Sequence, residues 1–166
     1  MKTIKTNNQE LIQAANQIVE AVKIFQKYGQ SNPLQPGFLK EFVMAQILNH
    51  EVVIDKHLAD GVSGDDFFEY LTCSSSAKTQ QFAFDGMKNG DDESMNKSLS
   101  RISRNKEVIF AVFDGLIPIE MYKVDSSVVY KFVKENLIRR KTSKNNEHTV
   151  NIGLNWVKQN CEVIKF

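Results

Sequence analysis

Apolar positions recur along this chain with two periods, and each period marks a kind of element. Between residues 9 and 28, Leu11, Ala15, Ile18, Val22 and Phe25 return every four and three residues, the narrow heptad seam of one helix face. Asn8 stands where a cap belongs and Gly29 where a stop belongs. Such a seam packs on the chain's own core or on a twin helix, and the loop at 29–36 leaves the helix free to reach a partner. A second helix is expected from Pro36, whose fixed φ suits a first turn, to about Asn49. Leu39, Phe42, Val43, Ala45, Gln46 and Ile47 set its expected buried face.

Further on the period shortens. Strands are expected at 51–54, 67–72, 80–84, 108–113 and 117–123. Val108-Ile109-Phe110-Ala111-Val112-Phe113 is apolar without a break, the mark of a central strand buried on both faces. Asp114-Gly115 is a tight-turn signal joining it to the next strand. The stretch 57–66 reads as a loop holding His57, Asp60, Gly61, Gly64, Asp65 and Asp66, and 86–93 as a polar connection before a short helix with Leu99 and Ile102 inward. Asp125-Ser126 caps a helix to about Leu137, with Val128, Val129, Phe132 and Val133 as its apolar face. A polar loop from 139 to 148 precedes residues 150–158 and a closing strand at 163–166, with Trp156 expected in the core. This order predicts an α/β (α+β) fold, a central mixed sheet flanked by helices.

At 166 residues and 42% hydrophobic content the chain is long enough for one domain with a sizeable core. No apolar run reaches the 18 residues of a membrane span, and the start of the sequence has no apolar segment like that of a secretory signal. Cys73 and Cys161 form neither a disulfide framework nor a zinc cluster, so reduced thiols and a cytoplasmic location are expected. The net charge of +1 hides an asymmetry: residues 51–93 carry ten acids against three bases, and residues 97–166 thirteen bases against seven acids. Acids beside a basic tract suit a polyanion cleaved with the help of a metal ion, and equally suit an ordinary mixed surface.

Candidate chemistry centres on Asp60 and Glu69, one in a loop and one on the strand after it. Two carboxylates that converge can hold a hard divalent cation such as Mg²⁺, which activates water against a phosphodiester. The spacing alone also fits a polar residue at a strand edge. His57 reads as a loop histidine, and Ser74 to Ser76 have no histidine partner for nucleophilic chemistry. Lys97, Arg101, Arg104 and Lys106 form one basic group, and Lys134, Arg139, Arg140, Lys141 and Lys144 a second, at a density that fits phosphate contact.

From Pro36 onward the chain resembles the PD-(D/E)xK nuclease superfamily, closest to its PvuII-like type II restriction endonucleases. The matching stretches are Gly37-Phe38-Leu39-Lys40-Glu41-Phe42, Ala59-Asp60 with Glu69-Tyr70, "VIFAVFDGLIPIEMYKVD" at 108–125, and a C-terminal region with Asn145-Asn146, a Trp-Val pair and a short strand. The resemblance implies Asp60 and Glu69 as metal-binding acids, the backbone carbonyl of Tyr70 as a third ligand, and Mg²⁺ as cofactor. It implies double-stranded DNA as substrate, with Asn145 and Asn146 at base edges and Arg101, Arg104, Arg139, Arg140, Lys141 and Lys144 on phosphates. It also implies a homodimer built partly through residues 1–35, a catalytic core at 36–125 and a recognition region at 126–166.

One position departs from the pattern. The superfamily's lysine belongs two residues after Glu69, where this chain has Leu71. Three readings stand: Lys78 reaches back as a migrated lysine; the alignment slides by two, putting Leu71 at the acid and Cys73 at the lysine, which leaves a dead site; or metal ions and water suffice. The first gives a restriction endonuclease with Asp60, Glu69 and Lys78 as its catalytic residues. The rival is an inactive fold that only binds DNA or a protein.

Overall fold

A computed structural model describes residues 8–55, 58–140 and 147–166. The chain divides into two compact units, 1–39 and 40–166, and the division falls inside the second helix, not in the loop before it.

In the first unit, α1 (Gln9–Lys27) is capped as its sequence suggests. The Asn8 side chain accepts hydrogen bonds from the backbone N–H groups of Glu10 and Leu11 at 3.0 and 3.4 Å. Gly29 comes next with φ 89°, a left-handed stop that a residue with a Cβ would resist. None of the helix residues is buried; of the seam, Val22 and Phe25 are half-covered. Phe25 meets Phe38 edge to face, ring centroids 5.6 Å apart.

The start of α2 (Pro36–Leu48) at a proline is as expected, but its inward face is not. Phe38, Met44 and Ala45 are the buried positions, Ala45 alone of them being expected, whereas Phe42 and Gln46 are exposed. The helix ends in a left-handed Asn49 (φ 55°), and the His50 N–H closes back on the Ala45 carbonyl at 2.9 Å. That closure delivers His50 to the sheet.

The second unit is built on a six-stranded mixed sheet. It contains β1 (Glu51–Val52), β2 (Gly61–Ser63), β3 (Asp66–Ser74), β5 (Glu107–Asp114), β6 (Ile117–Asp125) and β8 (Glu162–Val163), in the order β1-β2-β3-β5-β6-β8. Only β3 and β5 run parallel, Glu69 opposite Val108; the other neighbours are antiparallel. As the unbroken apolar run predicts, β5 is central and buried along six consecutive residues. Its alternate side chains feed two cores. Ile109, Ala111 and Phe113 join Met44, Ala45, Phe68, Tyr70 and Met121 on the α2 face. Val108, Phe110 and Val112 join Leu71 and Cys73 on the other face, under α3 (Asp92–Ser103), α4 (Ser126–Arg140) and α5 (Leu154–Asn160). The side-chain period of two divides one strand between two cores.

A second, two-stranded sheet lies outside this order. β4 (Gln81–Lys88) pairs antiparallel with β7 (Glu147–Gly153), and both put apolar residues into the second core. Its register shifts between Phe84 and Met87, where Gly86 (φ 67°) and Asp85 form a bulge opposite Thr149. β4 therefore runs past its expected end at 84, and β7 replaces what the sequence presents as loop and the start of residues 150–158. Trp156 sits half-covered at the rim of the core against Phe132, ring centroids 4.9 Å apart. Both cysteines are free; burial pushes the Cys73 thiol up to about 11 and the Cys161 thiol up to about 12.

β2 sets where the two candidate acids meet, and it lies in a stretch that reads as loop. Ser63 pairs with Asp66 across the two-residue turn Gly64-Asp65, with Gly64 at φ 60°. The β5–β6 hairpin repeats this chemistry with Gly115-Leu116 between Asp114 and Ile117, Gly115 again at φ 60°. A glycine first in a two-residue loop suits the twist of the flanking strands.

Gly61 is buried under Tyr70, and a Cβ built there would stand 2.2 Å from the Tyr70 hydroxyl oxygen. Gly61→Ala should therefore push the tyrosine aside and destabilise the fold by about 1–3 kcal/mol, the usual range for overpacking. Urea unfolding measures it; a loss below about 0.5 kcal/mol, ordinary for surface changes, would mean that Tyr70 yields freely.

Candidate functional site

The β2–β3 hairpin explains the nine-residue spacing of the two acids. With Gly61 opposite Phe68, Asp60 lands beside Tyr70. Its N–H donates to the Phe68 carbonyl at 3.0 Å, and its carboxylate accepts from the Tyr70 N–H at 2.7 Å. Glu69 and Tyr70 are neighbours on the strand, so the hairpin brings both acids to one place. The Tyr70 N–H points toward Asp60, and strand geometry puts the carbonyl of the same residue on that side too.

Asp60 and Glu69 are both half-buried, burial makes ionisation harder for each, and the charge of Asp60 makes it harder still for Glu69. Glu69 is pushed up to about 8, first by burial, then by the negative charge of Asp60, with a smaller contribution from Glu41 on α2; Arg101 and Arg104 on α3 act against these. Asp60 is also raised, again chiefly by burial, and is held back by the Tyr70 N–H and by Arg104 and Arg101. At neutral pH the pair holds a proton that a bound cation can replace.

Behind the acids, the Tyr70 hydroxyl hydrogen-bonds His50 Nδ1 at 2.7 Å, and the imidazole stacks on Phe68 with centroids 4.0 Å apart. Burial lowers the histidine's proton affinity against the pull of Glu107. Burial, with Asp60 and Glu41, raises that of the Tyr70 hydroxyl. This neutral pair fixes the strand on which Glu69 stands. The sequence offers no local signal for His50 or Glu41; only the tertiary fold brings their elements to the hairpin.

α3 supplies the basic side. Arg104 donates through Nη2 to the carbonyl of Leu58, two residues before Asp60. Arg101 donates through Nη1 to the Asp85 carbonyl at 2.9 Å. Arg101 also lines a groove of about 410 Å³ with Gly86, Lys88, Asp91, Ser94 and Lys97.

Lys78 is not brought to the acids, which corrects the migrated-lysine reading. It is exposed in the turn beyond Ser74, at the far end of β3. Five residue steps along the strand separate Glu69 from Ser74, about 16 Å at roughly 3.3 Å each. Leu71 and Cys73, which the slid alignment puts at the acid and lysine positions, are both buried in the second core. Arg139 and Arg140 are exposed in the last turn of α4, where Arg140 donates to the Thr149 carbonyl at 2.9 Å and so ties that turn to β7. Lys141, Lys144, Asn145, Asn146 and His57 lie outside the described residues.

Among the described residues no group of three or more His, Cys, Asp and Glu side chains is assembled for a metal ion. What is assembled is two carboxylates and a nearby carbonyl. That is an all-oxygen donor set of the kind Mg²⁺ accepts when waters and a substrate phosphate complete its shell. Compared with models of known protein families and with curated proteins, the chain matches none.

The raised proton affinity of Glu69 predicts a pH-dependent stability. An unfolded glutamate ionises near 4.5 and the folded one near 8, so wild type loses stability as pH rises from 4.5, with the loss complete above about 8. Glu69→Gln escapes this loss. Thermal unfolding should give similar stabilities at pH 4 and a variant increasingly more stable than wild type up to pH 8. A gap that stays constant from pH 4 to 9 would contradict the shift.

Proposed function

We propose that this chain is a Mg²⁺-dependent endonuclease of double-stranded DNA with a PD-(D/E)xK fold, a type II restriction enzyme acting as a homodimer on a short palindrome. The observation that carries the reading is the pair Asp60 and Glu69, held by a β-hairpin at one end of a mixed sheet, with burial hindering ionisation of both and the Asp60 charge hindering that of Glu69 further. Bound between them, Mg²⁺ would relieve that repulsion and supply Lewis acidity toward a phosphodiester. The Tyr70 carbonyl, facing the same side, offers a neutral third oxygen.

DNA contact is assigned to the basic side. Arg101 and Arg104 stand beside the acids, and Arg139 and Arg140 at the end of α4 beside the β4–β7 ribbon. An antiparallel two-stranded ribbon fits a major groove. The homodimer rests on α1, where Leu11, Ile18, Val19 and Ile24 are 43, 52, 50 and 55% exposed. A palindrome presents one half-site to each of two identical subunits.

The second reading, an inactive fold that binds DNA or a protein, is favoured by one observation. Leu71 occupies the position of the expected cation and is buried in the apolar core.

Purified protein with Mg²⁺ or Mn²⁺ and a DNA containing every short palindrome separates the two. Wild type should give discrete fragments. Asp60→Asn and Glu69→Gln should give none yet still bind DNA, since removing a carboxylate takes away an anionic ligand and some repulsion of the phosphates. No cleavage by wild type would leave the binding module standing. Light scattering at tens of micromolar should give twice the monomer mass, and Ile18→Glu, which puts an unpaired charge into the seam, should halve it.

A further inference from the structure

Glu69 projects to the sheet face it shares with Leu71 and Cys73, and that face is covered by α3 through Met95, Leu99 and Ile102. Arg101 in the last turn of α3 and Arg104 at its C-cap stand three residues apart around Ile102, and both remain exposed. Each is anchored by a hydrogen bond to a backbone carbonyl. Arg104 is tied to the Leu58 carbonyl, two residues from Asp60, and Arg101 to the Asp85 carbonyl on β4. A continuous path therefore runs from the Arg104 guanidinium through the 58–60 backbone and the Asp60 carboxylate to the Tyr70 N–H beside Glu69. Lys78 is at the other end of the strand and Leu71 is apolar. Among the described residues whose charge bears on both acids, Arg101 and Arg104 are the cations.

We propose that Arg101 and Arg104 are the catalytic cations of this site, doing from α3 what position 71 on β3 does not. The proposal rests on the endonuclease reading. In the hydrolysis, the oxygen of a water molecule forms a new bond to phosphorus. The bond from phosphorus to the leaving deoxyribose oxygen breaks, its electron pair staying on that oxygen. The water releases one proton to solvent and the leaving oxygen takes one up. A guanidinium does not give up its proton at any pH at which the protein is folded, so neither arginine is the base. Their part is to offset the extra negative charge on the phosphoryl oxygens as the transition state forms, with two donors each to fix its geometry. Unlike a lysine, such a group needs no lowered proton affinity and works unchanged from acid to alkaline pH.

The test separates charge from hydrogen bonding and catalysis from DNA affinity. Arg101→Gln, Arg104→Gln, the double variant and Arg104→Lys are compared with wild type in single-turnover cleavage at saturating protein with Mg²⁺, and in DNA binding without metal. Thermal unfolding identifies any variant that does not fold. The glutamines keep an N–H donor for the Leu58 or Asp85 carbonyl and remove the charge; lysine keeps the charge. The expected result is a rate loss on the order of 10² for each glutamine and more for the double variant, with Kd changed less than about tenfold and Arg104→Lys recovering most of the rate. Folded glutamine variants that cut at wild-type rate, or that lose only affinity, overturn the proposal and leave the endonuclease reading intact. A wild type that cuts nothing overturns both.

Discussion

β5 has no solvent face: Val108, Phe110 and Val112 enter one apolar cluster while Ile109, Ala111 and Phe113 enter the other. Any strand beside it must therefore divide its own side chains between the same two cores. β3 does so with Phe68 and Tyr70 on one side and Leu71 and Cys73 on the other. Glu69 falls on the α3 side by parity, near the end of the sheet where α3 passes over. It cannot rotate away without taking Leu71 and Tyr70 out of their cores, so burial of the neighbours holds a costly carboxylate in place.

That cost explains the arrangement around it. A half-buried carboxylate is tolerable when neutral, when paired or when hydrogen-bonded. Here each remedy is partial. Asp60 has one backbone donor, the arginines act on both acids while being tethered to carbonyls nearby, and Glu69 keeps its proton to about pH 8. A site satisfied by its own side chains would have no use for a ligand. This one remains short of positive charge, which is the electrostatic condition for recruiting a cation.

Much of this is legible in the residues alone. The six-residue apolar run marks β5 as central, Asn8 and Gly29 mark the ends of α1, and Pro36 marks the start of α2, because each is a local effect of backbone chemistry or burial. The nearness of Asp60 to Glu69 is implied by resemblance alone; its physical cause, the three-residue β2, is hidden because so short a strand has no period to detect. Gly64-Asp65 is the available signal, a two-residue turn between pairing residues. The buried face of α2 escapes the sequence because Met44 is covered by the sheet and not by any neighbour along the chain. Chain distance suggests that Lys78 lies near the acids, whereas an extended strand carries successive residues steadily apart.

The main sheet also ends abruptly on both sides. Its outermost strands, β1 and β8, are only two residues long and each begins with an acid: Glu51, and Glu162 in contact with Lys123 at 3.5 Å. A flat, well-filled border strand would present a row of open N–H and C=O groups to other molecules. Two-residue borders bearing charge offer almost no template for such growth. The apolar six-residue strand at the centre is thus kept from such pairing by short, charged borders as long as the folded state holds it inside.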